Sequence, residues 1–331
     1  MHKHSAMTQA RLRTRHRAWI SLVLTGFVIG IAFIGVYVGL QRSPAPYHVP
    51  IAVVGDRLAA SMQRALGSAG AVTRSSSLSE ALRGLDAGRY DAVVGSSSGR
   101  VTVEYAGAKG LSESSAALAM IQAFSARSGQ PESVKDAVPL VSFDSRGLAS
   151  FYVVFGVTLS SFVLTQGLTA AAQKIRLRHR LYAMLGFALA IGAVAATIAG
   201  PVFGALPAPW IALAVTLSLL SAAVAFTTKA LGAWFGAVGF ALAILMMTTV
   251  GNAVSGAMIG FDLLPGWARP ISAALPPGAA VRAVTEFGYF HGASAWSSLV
   301  VLALWAAVAF ALVLLRGWAP KAARAIGGGS R

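Results

Sequence analysis

The chain has 331 residues, of which 56% are hydrophobic and 11% are charged, and its formal net charge is +16. Soluble domains carry roughly 25% charged residues, so the composition excludes an ordinary soluble protein and favours a chain that lies in a bilayer. Cysteine is absent, which excludes disulfides and thiolate chemistry. The positive charges lie beside apolar runs instead of on one face with interleaved aromatic residues, so nucleic-acid binding is a weak interpretation of the charge.

The distribution of charge along the chain predicts a membrane topology. All eleven acidic residues fall in residues 56–144 and 262–286, whereas fourteen of the 27 basic residues lie outside residues 41–147 and 251–293, in stretches with no acid. Short loops rich in Lys and Arg stay on the cytoplasmic side during insertion. The acid-free basic clusters therefore predict the inside, and the two acid-bearing stretches predict the outside. The basic residues in question are Lys3, Arg11, Arg13, Arg15, Arg17, Lys174, Arg176, Arg178, Arg180, Lys229, Arg316, Lys321, Arg324 and Arg331.

The first half of the chain contains two predicted spans, each long enough for the roughly 20 residues that cross a bilayer. The first, residues 18–40, follows a basic cytoplasmic tail at residues 1–17. It is longer than the apolar region of a signal peptide, so we expect a retained anchor. The second span covers residues 149–172, and a basic cytoplasmic loop follows it at residues 173–180.

The second half contains four more predicted spans. Residues 181–250 are too long for one helix, and we divide them into spans three, four and five at the Gly200-Pro201 step and at Lys229. The sixth span, residues 294–315, precedes a cytoplasmic tail at residues 316–331. Both termini are then cytoplasmic, and the protein is expected to be a multi-pass protein of the plasma membrane.

Between the first two spans, residues 41–147 are expected to form a small extracytoplasmic α/β domain. Residues 51–54, 91–95 and 101–105 are typical of strands, and Ser77 with Glu80 forms the capping-box pattern that starts a helix. The predicted element order is βαβαββα. The expected fold class is therefore a polytopic α-helical membrane protein with six transmembrane helices and one α/β domain.

Motifs for catalysis are weak or absent. Gly95, Ser97 and Gly99 match G-x-S-x-G, but that motif needs a helix after the serine, and a strand-like VTVEY follows, so we interpret it as a hairpin. The histidines lack H-E-x-x-H spacing, and no G-x-x-x-x-G-K-[ST] occurs. We therefore predict no catalytic, cofactor-binding or metal-binding residues, and any ATP would bind to a partner subunit.

Residues 251–293, before the last span, are apolar yet broken by prolines, which predicts a re-entrant or interfacial segment at a cavity mouth. Its charged residues either anchor it at the headgroup level, together with Trp267 and Tyr289, or contact a substrate. The candidate gate residues are Asp262, Pro265, Trp267, Arg269, Pro276, Arg282 and Glu286.

Two strings carry a resemblance to a known family. DAVPLVSFDSRGLASFYVVFG at residues 136–156 is similar to the end of the external domain in actinobacterial ABC-2-type permease-like proteins related to the YhgE/Pip group. GFDLLPGWARPISAALPPGAAVRAVTEFGYF at residues 260–290 resembles the Leu- and Pro-rich segment that these proteins carry before their last span.

The resemblance implies a permease subunit that pairs with a second permease subunit, as a homodimer or heterodimer, and exports an amphipathic, lipid or drug-like substrate. It also implies that a separate cytoplasmic ABC ATPase supplies the energy. By analogy, Lys174, Arg176, Arg178 and Arg180 would contact that ATPase, although the same loop could hold anionic lipid headgroups. The alternative is a membrane-anchored surface receptor or assembly protein that transports nothing.

Overall fold

A computed structural model describes the backbone of residues 2–42, 44–97, 100–129 and 131–327, and the side chains of residues 20, 23–42, 44–96, 100–129 and 131–316. The side chains of the predicted basic tail at residues 1–17, and those of Lys321, Arg324 and Arg331, lie outside these ranges. A long helix, α1 (His2–Gln41), precedes a separate α/β domain, and the remaining helices form a bundle.

Within the described residues, the α/β domain has a five-stranded sheet in the order β2-β1-β3-β4-β5. Neighbouring strands are parallel except for the antiparallel pair β3 and β4. The strands are β1 (Val49–Val54), β2 (Gly70–Ser75), β3 (Ala92–Ser97), β4 (Arg100–Tyr105) and β5 (Glu132–Asp136). The helices are α2 (Asp56–Leu66), α3 (Leu78–Asp86) and α4 (Leu111–Ser128). The sequence analysis did not include β5, because ESVKD is polar and resembles a loop.

Helices cover both faces of this sheet, because successive side chains of a strand point to opposite faces. Ile51 and Val53 of β1 pack with Met62 of α2 and Ile121 of α4, whereas Ala52 faces the side on which α3 lies. Ser77 caps the start of α3 as predicted, but the Glu80 carboxylate accepts from the Ser76 N–H and hydroxyl, so only the serine half of the capping box forms. The Glu80 backbone N–H donates to Ser77 Oγ at 3.2 Å.

The G-x-S-x-G match lies in a hairpin. In the antiparallel pair β3 and β4, Gly95 is opposite Thr102 and Ser97 is opposite Arg100. A strand follows the serine where the hydrolase motif requires a helix, so the hairpin interpretation is confirmed. Gly99 and the Ser97 side chain lie outside the described residues.

Among the residues that the structure describes, five helices are long and apolar enough to span a membrane. They belong to α1, α5 (Ala149–Ala170), α6 (Leu177–Thr197), α7 (Trp210–Ala243) and α11 (Ala295–Gly327). The apolar stretch of α6 continues through a π-helical turn at Ile198–Val202, and that of α7 continues to Ala253, which gives it 44 residues. The chain is therefore a polytopic helical membrane protein.

The 44-residue stretch reverses direction at Gly236, whose φ of 58° and ψ of −132° are not helical. A Cβ at Gly239 would lie 1.9 Å from the carbonyl oxygen of Leu231, so the two arms of this helical hairpin pack with backbone contact. The predicted boundary at Lys229 is wrong. Lys229 lies inside the first arm, and the turn occurs seven residues later, where glycine permits the positive φ.

The bundle has two chemically different ends. One end, which we call the domain end, contacts the α/β domain. The other, the basic end, contains the connection between α5 and α6, with Lys174, Arg176 and Arg178, and the turn of the α7 hairpin. Arg316 of α11 lies at the basic end as well, because its Nε donates to the carbonyl of Ala233 at 3.3 Å.

Residues 251–290 fold back at the domain end in short pieces. A π-helical stretch at Ile244–Val250 leads into α8 (Gly251–Ala253), and α9 (Ala268–Ala274) and α10 (Pro276–Tyr289) follow. Ala279, Ala280 and Val284 of α10 pack into the main core of the bundle with Leu217 and Leu302. The segment therefore lies between the bundle and the α/β domain, and we call it the gate segment.

Candidate functional site

The gate segment ends in an aromatic side chain that belongs to the core of the α/β domain. Phe290 is 1% exposed and packs with Ala81, Leu85 and Val138 of that domain. A Cβ at Gly88 would lie 2.9 Å from the Phe290 ring, so the glycine leaves the space that the ring fills. Phe290 therefore anchors α10 to the domain through buried apolar surface.

Beside this anchor, three carboxyl groups meet across the same interface. Asp91 and Glu113 of the domain are buried, and Asp262 of the gate segment is 14% exposed. Each offers an oxygen within 4.8 Å of the others. A hard divalent cation accepts such oxygen ligands, but Lys109 Nζ already lies 3.5 Å from Asp91 Oδ1, and Arg269 pairs with Asp262. Two side-chain cations thus accompany the three carboxyl groups.

Glu113 is positioned by the backbone of the gate segment. Its Oε2 accepts a hydrogen bond from the Asp262 N–H at 3.2 Å. Gly260 has a φ of 84°, and a Cβ there would lie 2.2 Å from the same oxygen. Only a residue without a side chain allows the gate segment to approach the domain this closely.

Burial controls the protonation of this cluster. Burial raises the pKa of Glu113 well above its usual value, and the charges of Asp91 and Asp262 raise it further. Burial also raises the pKa of Asp91, against the opposing effect of Lys109. The pKa of Asp262 rises to about 6, again mainly by burial. Burial lowers the pKa of Lys109, but the combined charges of Asp91, Glu113, Asp262 and Glu286 outweigh burial and raise it.

Arg269 connects the gate segment to the strand that enters the domain. Its guanidinium forms an ion pair with Asp262 at 3.4 Å and donates to the carbonyls of Leu264 and Asp262 at 3.2 and 2.7 Å. It also donates to the carbonyl of Tyr47, just before β1. The ring of Tyr47 lies 5.5 Å below the guanidinium. The Arg269 guanidinium therefore joins the gate segment to the residues that precede β1.

A cavity of about 150 Å³ lies next to the cluster, between the domain and α10. It is lined by both signs of charge and by aromatic rings, including Lys109, Glu113, Asp262, Arg282, Glu286 and Tyr289. The Tyr289 hydroxyl accepts a hydrogen bond from the Val141 N–H at 3.4 Å, so this side chain also joins α10 to the domain. The cavity is partly open and lies at the domain interface; that it forms a cavity mouth for a substrate stays a prediction.

The other predicted gate residues have different surroundings. Arg282 donates to the Ser272 hydroxyl and carbonyl at 3.1 Å each and so ties α10 to α9. Pro276 begins α10 and is buried, and the Pro265 carbonyl accepts from the Ala268 N–H at 2.8 Å. Glu286 accepts from the Ser294 N–H at 3.3 Å. Trp267 is 63% exposed and does not line the cavity.

The basic loop lies at the opposite end of the molecule from this cluster. Lys174, Arg176 and Arg178 are exposed, and Arg180 is half-buried at the start of α6. The structure therefore brings Asp262 and Arg269 together with the α/β domain but keeps the four basic loop residues separate from them. The loop and the gate segment are two sites, connected only through the helices of the bundle.

Sequence reasoning missed Asp91, Lys109, Glu113 and Phe290. The three charged residues belong to a domain in which such residues are normally on the surface, and nothing local distinguishes them. Gly260, two residues before Asp262, offered a weak signal, since a glycine can mark a close backbone approach.

The apolar helices of the bundle define a multi-pass membrane protein, and the comparison with known families places it among membrane transport components. The family described as ABC-2 family transporter protein matches residues 17–315. The chain belongs to this family. No curated protein and no solved structure matches it.

Proposed function

We propose that this chain is the membrane permease subunit of an exporter. Two permease subunits enclose the pathway, a separate ABC ATPase supplies the energy, and the basic end is cytoplasmic. The α/β domain then lies outside the cell, where its contact with the gate segment controls release of an amphipathic substrate.

The observation that carries the proposal is the double attachment of the gate segment. Val284 of α10 packs in the core of the bundle, whereas Phe290, at the end of the same helix, packs in the core of the α/β domain. Any displacement of α10 therefore moves both bodies or breaks one of two buried contacts. An energy source that alternates the protein between two states would have to act on such a doubly attached helix.

Energy has to come from another chain, since the sequence contains no P-loop motif. Lys174, Arg176 and Arg178 are exposed between α5 and α6, and their charge is available to a cytoplasmic partner. An amphipathic substrate is supported by an apolar groove of about 420 Å³ between the α7 hairpin and α11. It is lined by Leu231, Met246, Leu304 and Leu312.

Co-purification tests the partner. Full-length protein extracted in a mild detergent should retain a nucleotide-hydrolysing subunit, and the combined Lys174→Gln, Arg176→Gln and Arg178→Gln change should release it. Arg127→Gln, which removes an exposed charge at the end of α4, is the matched control. Recovery of no ATPase, together with unchanged efflux after deletion of the protein, contradicts the proposal.

A reversible cross-link tests the gate. The chain has no cysteine, so Ser112→Cys with Met258→Cys introduces one defined pair, at a place where the Ser112 hydroxyl lies 3.4 Å from the Met258 carbonyl. Oxidation should stop ATP-dependent flux in proteoliposomes, and reduction should restore it. If the cross-linked protein transports normally, the domain does not control the gate and a receptor or assembly role for it is favoured.

A further inference from the structure

The basic end contains a buried cation that no carboxylate of the described residues pairs with. Lys229 is 9% exposed and lies inside α7, among helices α5, α6 and α11. Its Nζ donates to the Thr169 hydroxyl at 3.4 Å. In the described part of the chain, no Asp or Glu forms an ion pair with it. The sequence has no acidic residue from 1 to 55, from 145 to 261 or from 287 to 331, so the residues of these stretches that lie outside the described ranges add no Asp or Glu.

A second cation faces the same place. Arg180 precedes Leu181, which packs in one cluster with Ala230, the neighbour of Lys229, and at this distance the two positive charges repel each other. The Arg180 Nε is buried and has no hydrogen-bond acceptor among the described residues. Two cations and an unused donor thus converge where α5, α6 and α7 meet. Burying a charge is costly unless it is paired, so this arrangement favours an anion that comes from outside the chain.

The surroundings select the kind of anion. Phe226, Ala230 and Leu181 pack at this level, together with Leu168 and Val313. A ligand that reaches Lys229 must therefore tolerate an apolar environment around a charged group. An amphiphile combines the two, because its tail can remain among apolar side chains while its acidic group meets the cations.

A line of hydroxyl groups leads from Lys229 toward the middle of the bundle. Thr169 with Lys229, Thr165 with the Ala225 carbonyl at 3.5 Å, and Ser161 with Ser221 at 2.7 Å are successive contacts between α5 and α7. Consecutive contacts are four residues apart on each helix, which is about one helical turn. The hydroxyls of Thr158 and Thr228 are buried nearby and have no hydrogen-bond partner. A polar headgroup would find hydrogen-bonding groups along this seam when α5 and α7 separate.

We propose that Lys229, Arg180 and Thr169 bind the acidic headgroup of an anionic amphiphile at the basic end of the bundle. If the chain is the permease proposed above, this ligand is the substrate class, captured before it moves along the hydroxyl seam. Exposed Lys174, Arg176 and Arg178 raise the local concentration of anions around the entrance.

Binding is tested with the full-length protein in a neutral detergent, by titration with a short-chain phosphatidylglycerol. The midpoint of thermal unfolding should rise and saturate, and a matched phosphatidylcholine or inorganic phosphate should produce no such rise. Lys229→Gln and Arg180→Gln should each weaken the phosphatidylglycerol response at least tenfold, and Lys229→Arg should retain it. Arg127→Gln, which removes the same charge from the α/β domain, should leave the response unchanged.

The same titration can overturn the site. An undiminished phosphatidylglycerol response in Lys229→Gln refutes the proposed site. An equal response to phosphatidylcholine shows that only apolar surface of the protein binds the lipid. An equal response to inorganic phosphate shows a site for free anions instead of amphiphiles. If Lys229 instead binds a carboxylate of a protein partner, Lys229→Gln should release that partner, and the wild-type protein should show no response to phosphatidylglycerol. This result also refutes the proposal.

Transport separates this site from the proposed function. ATP-dependent movement of a fluorescent phosphatidylglycerol should require Lys229 if both proposals hold. If lipid binding depends on Lys229 but no ATP-dependent movement occurs, the site is supported and the exporter function is refuted. If Lys229→Gln leaves the ATP-dependent movement unchanged, the site is refuted and the exporter function is supported.

Discussion

Two largely buried lysines mark the difference between the ends of this molecule. Lys109, at the domain end, pairs with Asp91 and lies in a cluster that also contains Glu113 and Asp262. Lys229, at the basic end, contacts only a hydroxyl in the described structure. A buried charge that is paired within the chain holds two parts of the fold together. A buried cation that the chain leaves without an anion indicates a ligand.

The largest expected effect tests whether the domain end depends on one anchor. Phe290→Ala should lower the free energy of unfolding by about 3 to 5 kcal/mol, because it leaves a cavity in the core of the α/β domain. Thermal unfolding and limited proteolysis of the domain measure the loss. Phe143→Ala is the control, since that ring is 77% exposed, and a similar loss in the control would mean that Phe290 has no special role.

Lys109→Met tests the paired lysine. It leaves Asp91 buried without its cation, and removal of one partner of a buried pair costs about 3 kcal/mol, the low end of the usual range because the Lys109 side chain is partly exposed. Denaturant unfolding in detergent provides the value. Lys135→Met, which breaks an exposed pair with Glu104, should change stability by less than about 1 kcal/mol. Equal effects of the two changes would remove the distinction between them.

The protonation of the gate segment makes the domain end sensitive to pH. The folded protein holds the proton of Asp262 more tightly than the unfolded chain does, because burial raises this pKa from 3.8 to about 6. The resulting stability is present below pH 4 and is lost as the pH rises through 6, and Glu113 extends the loss to higher pH. The unfolding midpoint should therefore fall between pH 4 and 7.

Asp262→Asn should flatten this fall near pH 6, whereas Asp56→Asn, which removes an exposed carboxyl, should not. The groups that face Asp262 are Asp91, Glu113, Lys109 and Arg269. If the unfolding midpoint rises between pH 4 and 7, ionisation of the cluster does not destabilise the folded protein, which contradicts the prediction.

Lys229→Met is expected to have the smallest effect and makes the comparison sharpest. Because no carboxylate of the described residues pairs with Lys229, replacing this cation with an apolar side chain of similar length should be neutral or slightly stabilising, within about 1 kcal/mol. Unfolding in lipid-free neutral detergent is the measurement, since a bound anion would obscure the result. A loss as large as that of Lys109→Met would mean that Lys229 is paired after all.

The sequence predicts the membrane helices and the α/β domain because apolar runs and strand patterns are local signals. The gate segment is also predictable, because its prolines and the family resemblance at residues 260–290 can be recognised from the sequence alone. The turn of the α7 hairpin was misplaced, because a lysine in an apolar run looks like a loop, whereas the structure buries Lys229 and uses Gly236 for the turn.

The interface itself could not be predicted from such local signals. Asp91, Glu113 and Asp262 are separated by up to 171 residues, and nothing in their neighbourhoods shows that they meet. Phe290 looks like one more aromatic residue at the end of an apolar stretch. Its partners are side chains such as Leu85, about two hundred positions earlier, and only the fold determines that contact.

The position of Phe290 has a consequence for biosynthesis. The strands and helices of the α/β domain end at Asp136, but the side chain that completes their core leaves the ribosome more than 150 residues later. At about 5 to 20 residues per second, this delay is on the order of ten seconds. Until α5, α6, α7 and the gate segment have been synthesised, the core of the α/β domain lacks Phe290 and keeps an unfilled apolar cavity. The domain therefore completes its core only after most of the membrane helices have been made.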